Sequence, residues 1–191
     1  MTVVAVVDYG AGNLGNARRA VASLGLVERL ARAPADLEGA DVVLLPGVGA
    51  WGAAMRTLEL SGLATAVRQA AAAGRPVVGI CLGLQLLFER SEETPATPGL
   101  GILAGVVRRL DSGGRPLPHL GWAPVAGTPF YFAHSFVVVP DDPSVVRATA
   151  AWGAAFPAIV SRGAVRGVQF HPERSGAEGI AWLGRFLEGV A

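Results

Sequence analysis

Apolar residues arrive in short unbroken runs separated by glycine-rich loops and by stretches of helical spacing. Val3-Val4-Ala5-Val6-Val7 reads as a strand covered on both faces, since a half-exposed strand would alternate. The loop Asp8-Tyr9-Gly10-Ala11-Gly12-Asn13 follows it. Leu14, Ala17, Val21 and Leu24 then recur at helical spacing, and Gly25 marks the stop. Val27–Leu30 is a second strand candidate and Asp41–Leu45 a third, which runs into Pro46-Gly47-Val48-Gly49-Ala50-Trp51-Gly52. Residues 53–60 and 63–73 read as helices closed by Gly74. Pro76–Ile80 is the next strand and Leu82–Arg90 the helix after it. Strand–loop–helix units in this order predict an α/β layered domain with right-handed crossovers.

The rhythm changes after Ser91. A Pro/Thr/Gly loop spans 94–101. Shorter strand candidates follow at 106–110, 131–139, 145–149, 157–161 and 165–170, with turn residues between them. They predict an antiparallel or mixed extension of the same sheet. Residues 178–187 form a last helix with Ile180, Leu183, Phe186 and Leu187 on one face.

Composition narrows the function. At 191 residues, 51% of them apolar and with mean hydropathy +0.44, the chain is expected to form a single domain over 1–191 with a full core. No apolar run reaches bilayer length, and no signal pattern opens the chain, so no membrane role is expected. The net charge of +1 gives no basic footprint for nucleic acid. There is no lysine, which excludes a lysine Schiff base and a lysine-based phosphate loop. Gly10, Gly12 and Gly15 meet a dinucleotide spacing, but no Asp or Glu caps the end of the second strand near residue 31, so nucleotide binding is not expected there; no cofactor and no metal are expected. The one cysteine fits a reducing compartment and a cytoplasmic location.

That cysteine, Cys81, lies between a predicted strand and a predicted helix, with Gly79 and Gly83 on either side. Small neighbours let a backbone turn sharply and present a side chain at its tip, as in a nucleophile elbow. A helix N-terminus beside the sulfur favours the thiolate. Taken alone, Cys81 reads equally well as a buried structural thiol. His171 sits far downstream, just past a predicted strand, where open α/β folds place their chemistry. Glu173 can take its second ring N–H, completing a Cys–His–Glu chain of nucleophile, base and orienting carboxylate. The Pro46–Gly49 loop also lies at a strand end. If it faces Cys81, the N–H groups of Val48 and Leu82 can hold an oxyanion.

Six segments together resemble the class I (triad) glutamine amidotransferases, and within them the glutaminase subunits of imidazole glycerol phosphate synthases. They are Asp8–Leu14, Leu45–Ala50, Gly79–Leu87, Pro118–Trp122, Tyr131–Phe136 and Gly167–Glu173, so the likeness runs nearly end to end. The chain departs from the family pattern at Trp51 (usually Phe), Leu84 (often Met) and Arg174 (usually Lys).

The resemblance implies a three-layer α/β/α, flavodoxin-like fold with a mostly parallel central sheet and an antiparallel extension. It implies hydrolysis of glutamine to glutamate and ammonia. The ammonia would go to a cyclase partner, a (β/α)₈ barrel forming a heterodimer with this chain. That partner makes imidazole glycerol phosphate and aminoimidazole carboxamide ribotide in histidine biosynthesis. Cys81, His171 and Glu173 are then the catalytic set, and Val48 and Leu82 the oxyanion donors. Gly49, Gln85, His134, Ser135 and Phe136 are expected to bind the substrate. Tyr9, Asn13, His119 and Trp122 are expected to face the partner. Two readings compete: a triad glutaminase serving a pyridoxal phosphate or anthranilate synthase, and a non-catalytic module that keeps the fold.

Overall fold

A computed structural model describes residues 1–188. Seven strands form the central sheet: β1 (Val3–Val7), β2 (Val27–Ala31), β3 (Val42–Leu45), β4 (Val77–Ile80), β10 (Val146–Trp152), β11 (Ala154–Arg162) and β12 (Val165–Val168). Their order is β10-β11-β12-β4-β3-β1-β2. The five strands from β12 to β2 run parallel, and β10 and β11 pair antiparallel at one edge. Taken in chain order the parallel set is 2-1-3-4-5, the doubly wound flavodoxin-like arrangement.

Alternate residues of one strand feed two separate cores, which makes the molecule three layers thick. Val4 and Val6 of β1 pack with Ala17, Ala20 and Val21 of α1 (Leu14–Ser23) and with Leu183, Phe186 and Leu187 of α5 (Gly176–Glu188). Ala5 and Val7 pack with α2 (Trp51–Leu60) and α3 (Leu63–Ala72) on the opposite face. Burial on both faces is the reason these strands read as continuous apolar runs.

The second half departs from the sequence expectation in three ways. First, the helix expected over 82–90 stops early, as α4 (Leu82–Leu86). The N–H groups of Gly99, Leu100, Gly101 and Ile102 take the carbonyls of Glu89, Leu86, Phe88 and Leu87, so those carbonyls are satisfied without another helical turn. Second, the run 131–139 is two strands, β8 (Thr128–His134) and β9 (Phe136–Pro140), broken at Ser135. The chain changes partner there: β8 pairs with β7 (His119–Val125), whereas β9 pairs with β6 (Gly105–Arg109). Third, only β10 and β11 extend the main sheet. The short β5 (Arg90–Ser91) joins β6 and β9 in a three-stranded sheet, and β7–β8 stands as a two-stranded one. Hydrophobic alternation records that a strand has a buried face, not which strand lies beside it.

Candidate active site

The site lies at the carboxyl ends of β3, β4 and β12. Ile80 and Val168 are register partners on adjacent parallel strands, so Cys81 and His171 leave the sheet side by side. Cys81 sits at φ 52° and ψ −105°, a strained backbone for a residue with a side chain. It opens α4, and its backbone N–H is held by the Val168 carbonyl at 2.7 Å. The flanking glycines make this bend possible. A Cβ on Gly83 would stand 1.8 Å from the Leu45 carbonyl oxygen, and one on Gly79 would stand 2.5 Å from the Leu84 nitrogen. Helix and sheet meet there with no space for a methyl group.

His171 Nδ1 pairs with Glu173 Oε1 at 2.8 Å, and both side chains are buried. Asn13 Nδ2 donates to the same carboxylate oxygen. The other ring nitrogen, Nε2, is buried without a hydrogen-bond partner. Burial by itself would strip a proton from this ring. The neighbouring Cys81 sulfur first, and then the Glu173 carboxylate, overcome that effect and push the His171 pKa up to about 10. Cys81 thus acts strongly on the ring without a hydrogen bond of good geometry, as is common before substrate binds.

A pocket of about 220 Å³ opens beside the sulfur. That is below the roughly 300 to 1,000 Å³ typical of drug-sized sites and fits a small ligand. Gly49, Gln85, His134, Ser135 and Phe136, all expected to bind substrate, line it together with Val48, Cys81 and Leu82. Gln85, however, is already committed: its Nε2 donates to the Phe136 carbonyl at 2.9 Å and to Gln169 Oε1 at 3.2 Å. Glu93 also lines the pocket and was not singled out by the sequence. It stands in a polar loop with no motif around it, and its Oε2 accepts the Trp51 N–H at the start of α2 at 3.2 Å.

Neither expected oxyanion donor is free. The peptide between Gly47 and Val48 turns its carbonyl toward the Leu82 N–H at 3.3 Å and its N–H toward the Gly12 carbonyl at 3.3 Å. Gly12 N–H returns a bond to the Val48 carbonyl at 2.9 Å. The Gly10–Gly15 loop therefore spends part of its backbone on the Pro46–Gly49 loop. Gly47 has φ 137°, and a Cβ there would stand 2.5 Å from the Ala11 Cβ.

Two of the four expected partner-facing residues are buried. Tyr9 is buried, and its hydroxyl donates to the Pro46 carbonyl. His119 is buried between the rings of Phe132 and Trp152, with centroids 4.8 and 4.3 Å away. The half-buried Asn13 is turned to Glu173. Trp122 does project, 56% exposed, beside Leu120 at 58%. Period-two alternation along β7 explains the contrast: His119 faces in where Leu120 and Trp122 meet solvent.

His119 Nδ1 lies 3.3 Å from His134 Nε2, and His134 Nδ1 lies 3.0 Å from the Phe136 carbonyl. Burial first, then the neighbouring His119, holds His134 down at about 3; burial, then Arg115, holds His119 at about 4. Both folded values lie below the usual 6.5, so as pH falls the unfolded chain takes up protons before the folded one. Their contribution to stability is complete above about pH 6.5 and is lost as pH falls toward about 3. The urea midpoint should therefore drop across that window. The drop should be shallower in His119→Phe, which keeps the aromatic stack and removes one titrating ring. Equal slopes in the two proteins would contradict this account.

The glutamine amidotransferase class-I family model matches residues 5–189. The chain belongs to that family. Two bacterial relatives named imidazole glycerol phosphate synthase subunit HisH are 46% identical (Symbiobacterium thermophilum) and 44% identical (Streptococcus gordonii). The matches cover 96% of this chain and 92% of the first relative, and 97% and 95% for the second. The amidotransferase chain is also 40% identical to imidazole glycerol phosphate synthase hisHF, chloroplastic, of Arabidopsis thaliana, over 97% of its own length and 34% of that relative. A crystal structure of a glutamine amidotransferase superposes with TM-score 0.80 at 25% identity, covering 98% of this chain and 99% of that one. PurLQS from Thermotoga maritima, at TM-score 0.74 and 22% identity over 94% and 91% of the two chains, shares the fold.

Proposed function

We propose that this amidotransferase hydrolyses glutamine to glutamate and ammonia, and passes the ammonia to a (β/α)₈ cyclase. That cyclase makes imidazole glycerol phosphate and aminoimidazole carboxamide ribotide in histidine biosynthesis. One observation carries the reading: a lone, strained cysteine meets a buried His–Glu pair at the mouth of a small pocket. The near full-length likeness to HisH subunits supports the partner, and a relative named hisHF three times as long is consistent with a second catalytic unit.

The chemistry follows from position. His171 takes the Cys81 proton, and the sulfur attacks the side-chain amide carbon of glutamine. The negative oxygen that forms needs donors, and the Val48 and Leu82 N–H groups would supply them once released from the Gly12 and Gly47 carbonyls. His171 then gives its proton to the departing ammonia and activates the water that cleaves the thioester. Glu173 keeps the ring in the required tautomer and stabilises its charge. The 134–136 backbone is placed to hold the glutamine α-carboxylate, and the Glu93 carboxylate the α-ammonium. Leu120 and Trp122, with Tyr131 and the Arg174 guanidinium 4.4 Å over its ring, form an exposed face for the cyclase. An aromatic anchor of this kind is typical of interface hot spots.

Glutamate and ammonia release, measured with and without a candidate cyclase and its nucleotide ligand, tests the proposal. The free chain should be slow, because the Gly47–Val48 peptide closes the oxyanion position with its carbonyl. Rotating that peptide would free both donors. At about 3 to 4 kcal/mol for a lost donor, the partner should raise kcat by ~100-fold or more. Reciprocity then requires glutamine to tighten partner binding. Equal kcat in the free and complexed states would rule this coupling out. No hydrolysis in either state would remove the glutaminase reading itself.

A further inference from the structure

Gln169 is fully buried just past β12, where its backbone N–H is held by the Ala158 carbonyl at 3.0 Å. Its Nε2 lies 3.6 Å from Cys81 Sγ, across 88 residues of sequence. The Ala133 carbonyl lies 3.8 Å from the same sulfur. These two neighbours oppose each other. A carbonyl accepts from S–H and favours the thiol, whereas an amide N–H favours the charged sulfur. We propose that Gln169 is a further catalytic residue of this site, whose side-chain amide donates to the Cys81 sulfur and stabilises its anionic, attacking form. The role rests on Cys81 being the nucleophile.

The orientation of the amide has one consistent assignment. Gln169 Oε1 accepts from Gln85 Nε2 at 3.2 Å, which leaves Gln169 Nε2 toward the sulfur. Gln85 Nε2 also donates to the Phe136 carbonyl at 2.9 Å, which fixes the Gln85 amide in turn. The same carbonyl accepts from His134 Nδ1 at 3.0 Å, so His134 carries its proton there and offers Nε2 as an acceptor. His119 Nδ1 fills that acceptor at 3.3 Å, and its own Nε2 is left as a buried lone pair. Reversing the Gln169 amide would set two NH₂ groups against each other and an oxygen against the negative sulfur. The chain from His119 to Cys81 thus keeps the Gln169 N–H pointed at the reacting atom, in a dry setting where such bonds are strong.

Gln169 does not line the substrate pocket, so its loss should act on sulfur reactivity and not on glutamine binding. Alkylation by iodoacetamide, followed by intact mass, reads that reactivity directly because Cys81 is the sole cysteine. It needs neither glutamine nor partner, so the result stands even if the glutaminase reading fails. Gln169→Met keeps length and bulk without a donor. Gln169→Glu keeps the acceptor for Gln85 and turns a carboxylate oxygen to the sulfur. Both should slow alkylation at pH 7 by about ten-fold or more, the effect of one hydrogen bond to a charged group. Both should lower kcat for glutamine by a similar factor with KM little changed. A residue that merely packs would leave Gln169→Met at the parent rate. Parent alkylation rates in folded variants overturn the proposal. Should the variants not fold, S-methylation of Cys81 in the unaltered protein should shift the Gln169 side-chain amide resonances. Unmoved resonances also overturn it.

Discussion

Replacing Cys81 with alanine should abolish glutamine hydrolysis and leave partner binding and ammonia-driven cyclisation by the complex intact. The sulfur is the only thiol in the chain, and the pocket, the His–Glu pair and the elbow all converge on it. The backbone should tolerate the change. Alanine meets the same steric cost as cysteine at φ 52°, and the elbow depends on its flanking glycines more than on the sulfur. Removing the sulfur also removes the strongest influence holding a proton on His171. The test is glutamate release by the complex, run beside cyclisation supplied with ammonium salt. Retained hydrolysis in Cys81→Ala would sink the assignment. Loss of both activities would mean that the variant had disturbed the fold or the interface.

His171→Ala should lower glutamine turnover by ~100-fold or more, as expected when one group is both general base and general acid. Glu173→Gln should cost less, because that carboxylate orients the ring and Asn13 already donates to it. Intact mass should show no thioester accumulation in the His171 variant. Normal turnover there would refute the triad. The same residue predicts an alkaline stability loss. Its folded pKa of about 10 stands above the unfolded 6.5, so its contribution is complete below about pH 6.5 and disappears as pH rises toward 10. The stability curve of His171→Ala should be flatter over that range.

Local pattern was a good guide to the first half of the chain. The strand–loop–helix order through residue 80 follows from apolar runs and helical spacing, and each element lies within a few residues of its expected place. Cys81 and His171 were legible for a related reason. Cys81 directly follows β4 and His171 comes shortly after β12, and parallel strands deliver such residues to one edge of the sheet. The second half was harder, because β7, β8 and β9 carry similar patterns and differ in their neighbours.

The amino-acid sequence by itself determined the layered class and the family, and it marked the candidates for nucleophile and base. All of these rest on residue type, on spacing within one element, or on short motifs. Tertiary structure decided the rest, because each remaining feature joins residues that are distant along the chain. Gly12 against Val48 determines which way the peptide groups of the Pro46–Gly49 loop point. Asn13 against Glu173 ties the loop after β1 to the carboxylate that holds His171. Tyr9 and His119 look like interface aromatics in the sequence and are buried in the fold. Gln169 against Cys81 puts a donor on the sulfur. A backbone N–H or a side-chain amide carries no mark in the sequence of what it will face; only packing, by removing water and supplying one partner, assigns it.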